Sequence, residues 1–577
     1  MTSVEPAELV ELRVLDGPNL YFPRPAVKLT MAVPGWLDGP EERVSRLAVR
    51  LGLPATGRRA LRPGGPRSEQ RRNAVARLAE HTTRLIAAAA GARPAVRARR
   101  GAGDQEVVVS FPWRRRGRAE ALAREVAEVF KGLLQRRSLD RMLHQAVRRI
   151  EAADPGDVPT VPSPEIPVIA VTGTNGKTTT VRLLAHLLRT AGLKVGYTST
   201  DGVYVNDRLV EEGDYSGFAG AGLALAQPGV QAVVLETARG GILLRGIGAA
   251  HNDVAVVTNI SADHLGLHGI ETLDQLAEVK ATITRITRPN GWDVLNADDP
   301  RVLAMRRQAT GRPFLFSIDP DHPAIRTAVA EGGRAITALD GRLVLLGRGM
   351  QPLPLLPLEE VPMTLAGIST PNIQNVMAAA AAGLGVGLSE ETIVRGLRSF
   401  IPDPDRNPGR ANLYELDGRV IVVDYAHNEA GMVGLVEICR GLCRPQAEIW
   451  LTYAAAGDRS PGIMHGLGYI AARAAHHVAV AELRRYLRGA PPEEVVARLR
   501  AGAVDGGARE VPAHGDELKA LRWMLRKSKP GDVVAITALS QRSEIFAFLA
   551  DSKARRVSPG RVRQLARRAR SRARASA

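Results

Sequence analysis

The apolar and polar positions of the chain fall into successive patterns. In residues 1–150, Val10 to Leu15 and Ala26 to Met31 read as strands, and Glu69 to Ala90 as a long amphipathic helix. Glu106 to Pro112 alternates as a further strand, and Ala119 to Leu134 repeats apolar residues at helical spacing. This predicts an α+β domain with no evident catalytic cluster. Ala152 to Pro167 carries five prolines in sixteen residues. Each proline fixes φ and removes a backbone donor, so residues 151–167 are expected to be a linker.

From Val168 the chain alternates short, continuously apolar runs with helical stretches: VIAVT, KVGYTST, VQAVVLE, DVAVVTN and WDVLN. Runs of this kind are buried on both faces, which implies a mostly parallel sheet covered by helices over residues 168–400. After the Pro-rich loop Ile401 to Pro408, VIVVD, EIWLTY, HHVAV and DVVAIT form a second such series. It predicts a Rossmann-like domain over 401–550, followed by a basic tail over 551–577. The expected class is thus α/β, with an N-terminal α+β domain. Ligands of parallel sheets gather at the carboxyl ends of strands, which is where the polar residues of interest fall.

Thr172-Gly173-Thr174-Asn175-Gly176-Lys177-Thr178-Thr179 follows the strand at Val168 and opens a helix. Glycines let backbone approach phosphate, amide N–H groups and the helix start face its charge, Lys177 neutralises β/γ oxygens, and the Thr178 hydroxyl can ligate Mg2+. Gly173 to Thr179 are therefore candidate ATP contacts. A strict G-x4-G-K-T loop would need Gly where this chain has Val171, so the loop is a shortened variant.

The T-G-T-N-G-K-T-T-T form resembles the Mur ligase family. Ile260-Ser-Ala-Asp-His-Leu-Gly266, Glu278-Val-Lys280, Asn296-Ala-Asp-Asp299 and Asp424-Tyr-Ala-His-Asn428 resemble that family's further motifs, in order. Leu235 to Leu243 (LETARGGIL), Gly457-Asp-Arg459 and Tyr486-Leu-Arg-Gly489 look like the Mur-like half of cyanophycin synthetases, and Leu15-Asp-Gly-Pro-Asn19 resembles their N-terminal domain. Those enzymes carry an ATP-grasp domain between the two parts, and here the proline-rich linker stands in its place. Pro371 replaces the usual His before Asn372, and Glu429 stands where many Mur ligases have Pro.

The resemblance implies an ADP-forming ligase that makes an amide through an acyl phosphate, with ATP and Mg2+ as cofactors. It implies that Thr178 and Glu236 bind one Mg2+, and that His264 and Lys280 serve a second, Lys280 as a carbamate. A carbamate requires a neutral amine, hence burial or a cationic neighbour. Asn296 resembles an adenine contact, with helix capping as its alternative. Arg410 and Asp424 resemble residues that reach nucleotide and amine on domain closure, with His427 and Asn428 at the lip. Asp458 suits a cationic amine, and Arg239 either the acidic substrate or an ion pair. Expected substrates are an amino acid, arginine first, and an acidic peptide or small carboxylate. Arg97-Ala-Arg-Arg100 and Arg114-Arg-Arg116 suit an acidic ligand or are solvated loops.

A length of 577 residues accommodates three or four domains at about 150 residues each. No run of eighteen apolar residues exists and no basic flank precedes an apolar one, so no membrane span or secretion signal is expected and a cytoplasmic place is. The net charge of +18 raises nucleic acid as a partner, but ten Lys or Arg lie between Lys553 and Arg574 without an acid. That segment reads as a solvated tail, and no specific nucleic-acid function is expected. A homo-oligomer is left open. Cys439 and Cys443 read as ordinary small residues; two cysteines cannot build the four-cysteine zinc site of a glutaminase-coupled amidating branch. Besides that branch, the alternative is a non-catalytic nucleotide-binding scaffold.

Overall fold

The computed structural model describes residues 7–53, 55–263 and 265–573. Three sheets organise them. An antiparallel sheet runs in the order Glu8–Leu15, Ala26–Ala32, Glu106–Pro112, Arg97–Arg100, with the helices Glu69–Ala89 and Arg116–Leu134 packed on its apolar face. The strands and helices expected for this region are present, with ends shifted by three residues or fewer. Between Ala152 and Val168 there is no helix or strand, as five prolines dictate.

The second sheet has eleven strands. Seven are parallel, in the order Arg334–Leu339, Arg312–Ser317, Thr287–Asn296, Asn252–Val257, Val168–Thr172, Ala232–Glu236, Val195–Ser199. The strand that carries the phosphate loop lies inside this series, covered on both faces. On one face, the helix Thr370–Gly385 packs beside the helix Lys177–Thr190. Ala378 to Ala382 are fully buried, since methyl side chains let a helix be enclosed on every side. Antiparallel hairpins finish both edges: Gly202–Val205 with Arg208–Glu212, and Arg342–Gly347 with Leu353–Pro357.

The third sheet runs Ala513–His514, His477–Ala481, Ile449–Tyr453, Val533–Thr537, Arg419–Asp424, Asn412–Leu416, Arg555–Arg556, parallel through Arg419–Asp424. The mixed α/β class holds. Among the described residues no helix is long and apolar enough to cross a membrane.

One arrangement adds to the sequence reading and one differs from it. The first sheet is joined to the central region: Leu20, Tyr21, Phe22 and Val108 share one apolar core with Ile242, Ile247, Val279 and Ile283. Arg245 reaches Asp16 at 2.6 Å and Arg99 reaches Glu278 at 3.0 Å across the same boundary. The segment expected as a solvated tail instead forms the strand Arg555–Arg556 and the helix Pro559–Ala573. Val562, Leu565 and Ala566, at helical i, i+3, i+4 spacing, are buried in the core of the third sheet's layer. Its arginines pair with acids of that layer, Arg561 with Glu415 at 2.8 Å and Arg556 with Asp405 at 2.7 Å.

Candidate active site

The strand ends of the two parallel sheets face one cleft of about 1050 Å3. The phosphate loop forms its floor. Gly173 and Gly176 have φ of +149° and +86°, and a Cβ would fall 1.8 Å from Thr258 Oγ1 and 2.2 Å from Asn375 Oδ1 respectively. No side chain fits at either position, so bare backbone faces the cleft. Asn175 N donates to Asn259 Oδ1 at 2.9 Å, and Thr258 Oγ1 donates to Asn175 O at 2.6 Å, which fixes the loop from the neighbouring strand end. Thr174 and Thr179 are buried under it, and Lys177 Nζ rests on Thr174 O at 2.9 Å.

Thr178 Oγ1 donates to Glu236 Oε2 at 2.8 Å. Glu236 closes the adjacent strand, is 2% exposed, and its Oε1 has no partner. Burial pushes its pKa up, against the pull of Lys177 and the Thr178 hydrogen bond. A buried carboxylate oxygen without a partner, next to a hydroxyl and above an open amide cradle, fits a divalent cation and the phosphates it would accompany. Lys280, at the end of the helix Leu273–Lys280, is buried and donates to Gly173 O at 2.6 Å. Burial, then the charge of Lys177, brings its pKa well below the usual lysine value. His264 lies outside the described residues.

The third sheet supplies the opposite wall. Asn175 and Asn428 exchange amide hydrogen bonds at 3.1 and 2.9 Å. Asn428 Oδ1 also accepts from Gly431 N, capping the helix Glu429–Leu442. Arg410 lies over the Tyr425 ring at 4.2 Å. Beside it, Asp424 accepts from Ala411 N at 2.8 Å, and burial raises its pKa despite the Arg410 charge. His427 Nε2 stands 3.6 Å from Asp263 Oδ2, whose other oxygen accepts from Arg459 Nη1.

The fold thus brings Gly173 to Thr178, Glu236, Lys280, Arg410, Asp424 and His427 to one cleft. Asn296 does not line it: its Nδ2 donates to Thr258 O at 2.8 Å and its Oδ1 accepts from Asp298 N at 3.0 Å. Helix capping in that sequence falls to Asp299, which accepts from Arg301 N and Val302 N. Asp458 pairs with Arg488, and Arg239 lines the cleft near Asp263. Sequence reasoning gave no role to Asp263, Asn259 or Thr258. Asp263 lay inside a quoted motif, but its ion pair with Arg459 spans 196 positions and leaves no local signal.

Two family models match the chain: the Mur ligase middle domain over residues 171–383, and the Mur ligase glutamate ligase domain over 409–538. A UDP-N-acetylmuramyl-tripeptide synthetase of Deinococcus radiodurans is 30% identical over 391 residues, which cover 65% of this chain and 73% of that one. The chain belongs to the Mur ligase family. That family is one of ATP-dependent, ADP-forming carbon–nitrogen ligases, and the cleft lies between the two matched domains. Cyanophycin synthetases of Synechocystis sp. and Crocosphaera subtropica are 41% and 38% identical over 317 and 374 residues. The matches cover 55% and 64% of this Mur ligase, but only 36% and 42% of those relatives. The fold is shared with Escherichia coli FolC in complex with DHPP and ADP: 20% identity, a TM-score of 0.50, and coverage of 68% of this chain and 91% of that one.

Proposed function

We propose that this Mur ligase uses ATP and Mg2+ to join an amino acid to a carboxylate of an acidic peptide or small acid, through an acyl phosphate. The observation that carries the reading is the Thr178–Glu236 pair with its unpartnered oxygen, set above a glycine cradle and beside Lys177. We keep the division into an N-terminal domain (1–150), a linker (151–167), a central ATP-binding domain (168–400) and a C-terminal domain (401–550), acting in the cytoplasm.

A carboxylate is a poor acyl donor because oxide would have to leave. Bound MgATP supplies the terminal phosphoryl group that turns that oxygen into part of a leaving phosphate. Lys177 and the amides of Gly173 to Thr178 hold the phosphates, and Thr178 with Glu236 holds the ion. Lys280, whose pKa burial brings well below the usual lysine value, takes up carbon dioxide as a carbamate and presents oxygens toward the same phosphates. His264 is assigned to that second ion by resemblance. Arg410 and Asp424 close over the nucleotide and incoming amine from the C-terminal domain, with His427 and Asn428 at the lip. The joined walls keep water from the acyl phosphate. Asn296 shapes the nucleotide site through Thr258.

The acid acceptor has a fitting approach. In a second cleft of about 800 Å3 between the N-terminal sheet and the central domain, Arg13, Lys28, Arg77, Arg99 and Arg100 outnumber the acids Glu11, Glu106 and Glu278. It shares Leu244 and His268 with the catalytic cleft, so a chain of carboxylates could run from one into the other. Relatives named cyanophycin synthetase make arginine on a poly-aspartate acceptor the first pair to try. The test is phosphate release from ATP, screened over amino acids against acidic peptides, with Lys177→Ala as control. Release above that control for at least one pair is expected; equal release for every pair overturns the ligase reading.

A further inference from the structure

A buried ionic network lies behind the catalytic cleft, where the central and C-terminal domains are joined. Asp201, in the turn between Val195–Ser199 and Gly202–Val205, accepts from two arginines of different origin. Arg182 Nη2 reaches its Oδ2 at 2.7 Å from the helix that the phosphate loop opens. Arg542 Nη2 reaches its Oδ1 at 2.8 Å from the C-terminal domain. Side-chain exposures are 5%, 19% and 28% for Arg182, Asp201 and Arg542, so this is not a solvated surface pair.

The two arginines also grip the segment 401–411 that connects the domains. Arg182 Nη1 donates to Arg406 O at 3.2 Å. Arg542 packs against Gly409, where a Cβ would meet its Cδ at 2.9 Å. Asn412, fully buried, ties the same segment to itself, donating to Pro402 O and Asn407 O and accepting from Gly409 N. The next residue after Gly409 is Arg410, which covers the cleft.

Arg542 is itself held rigidly. Glu517, 0% exposed, accepts from the backbone amides of Leu539, Ser540 and Gln541 at 2.6, 3.0 and 2.7 Å and from Ser540 Oγ at 3.0 Å. One carboxylate therefore fixes the loop that presents Arg542 to Asp201, and a fixed guanidinium gives up little conformational freedom on pairing.

We infer that Arg182, Asp201 and Arg542 form a closure latch, positioning Arg410 over the nucleotide by locking the connecting segment between the two domains. All three are positioning residues: none lines the cleft. The inference rests on the ligase reading only for its activity readout. Opening the cleft must break the Asp201–Arg542 contact, because its partners belong to the two bodies that separate. The Arg182–Asp201 contact does not cross between the two bodies and so survives opening.

The test is hydrogen–deuterium exchange of the full chain, without substrate, for Arg542→Gln, Asp201→Asn and the double variant. Faster exchange is expected in residues 401–411 and around Asn428, with the helix Thr370–Gly385 unchanged. The double variant should exchange no faster there than Asp201→Asn alone, since both act through one contact. Arg542→Lys should recover part of the protection. In turnover, kcat falls by about fivefold for Arg542→Gln while the affinity for ADP, read by calorimetry, is kept. Parent-like exchange at 401–411 in a folded Arg542→Gln overturns the latch. So does a double variant whose effects are additive. Because exchange needs no turnover, a protein with the latch but no ligase activity would defeat the functional reading alone.

Discussion

Replacing Glu236 with Gln should raise the stability of the metal-free protein and abolish its response to MgADP. The side chain is 2% exposed and one carboxylate oxygen has no partner, so its charge is held at a cost until a cation arrives. Gln keeps the volume, removes the charge and leaves an oxygen for the Thr178 hydroxyl. A gain of about 1 kcal/mol is expected without metal, roughly 2–4 °C in the melting of a domain of this size. Burial places the folded-state pKa of Glu236 above its unfolded value. Folding thus favours protonation of Glu236 more than the unfolded chain does, the parent loses that stability as pH rises through the folded value, and the gap between the proteins widens with pH. With MgADP at a hundred times its Kd, the parent gains about 2.7 kcal/mol while the variant gains little. Turnover of the variant should fall by about 100- to 1000-fold. Scanning calorimetry with and without MgADP reads both effects. A variant stabilised by MgADP as much as the parent, or clearly less stable than the parent without it, would refute the reasoning.

Three further outcomes follow from single residues. In labelled bicarbonate, carbon NMR of the parent should show a carbamate resonance that is missing in Lys280→Arg, because burial lowers the pKa of the Lys280 amine and so favours its reactive neutral form. Asp293, fully buried with bonds from Thr287 Oγ1 and Gly311 N, has its pKa raised to about 7. Its stability contribution is complete below the unfolded value and is lost as pH rises toward 7, with a slope approaching about 1.4 kcal/mol per pH unit. Asp293→Asn should flatten that slope in urea titrations between pH 4 and 7. Leu565→Asp, which places a charge in the docked C-terminal helix, should cost about 3 kcal/mol in the same titrations.

The strand, loop and helix around Gly173 were legible because every signal there is local: an apolar run, two glycines at strained positions, a lysine and a helix start. Glu236 and Asp424 each end an apolar strand, which places them at the cleft, while their roles rest on the family resemblance. The hairpin edges were harder, since the strand Arg208–Glu212 is exposed throughout and has no apolar alternation to betray it. The C-terminal helix has the sequence signature of a solvated segment because its arginines outnumber the three apolar residues that dock it. Asn296 resembled a ligand contact, yet its amide is spent on Thr258, a bond that depends on the sheet bringing two strand ends together. Arg542 and Asp201 lie 341 positions apart, and neither sits in a motif. Such pairs exist only once the domains have met.

The central claim is that the acceptor carboxylate itself takes the terminal phosphoryl group. Turnover with acceptor acid labelled in its carboxylate oxygens, followed by mass spectrometry of the inorganic phosphate, tests it directly. One labelled oxygen per phosphate released is expected. Unlabelled phosphate accompanying amide formation would contradict the account.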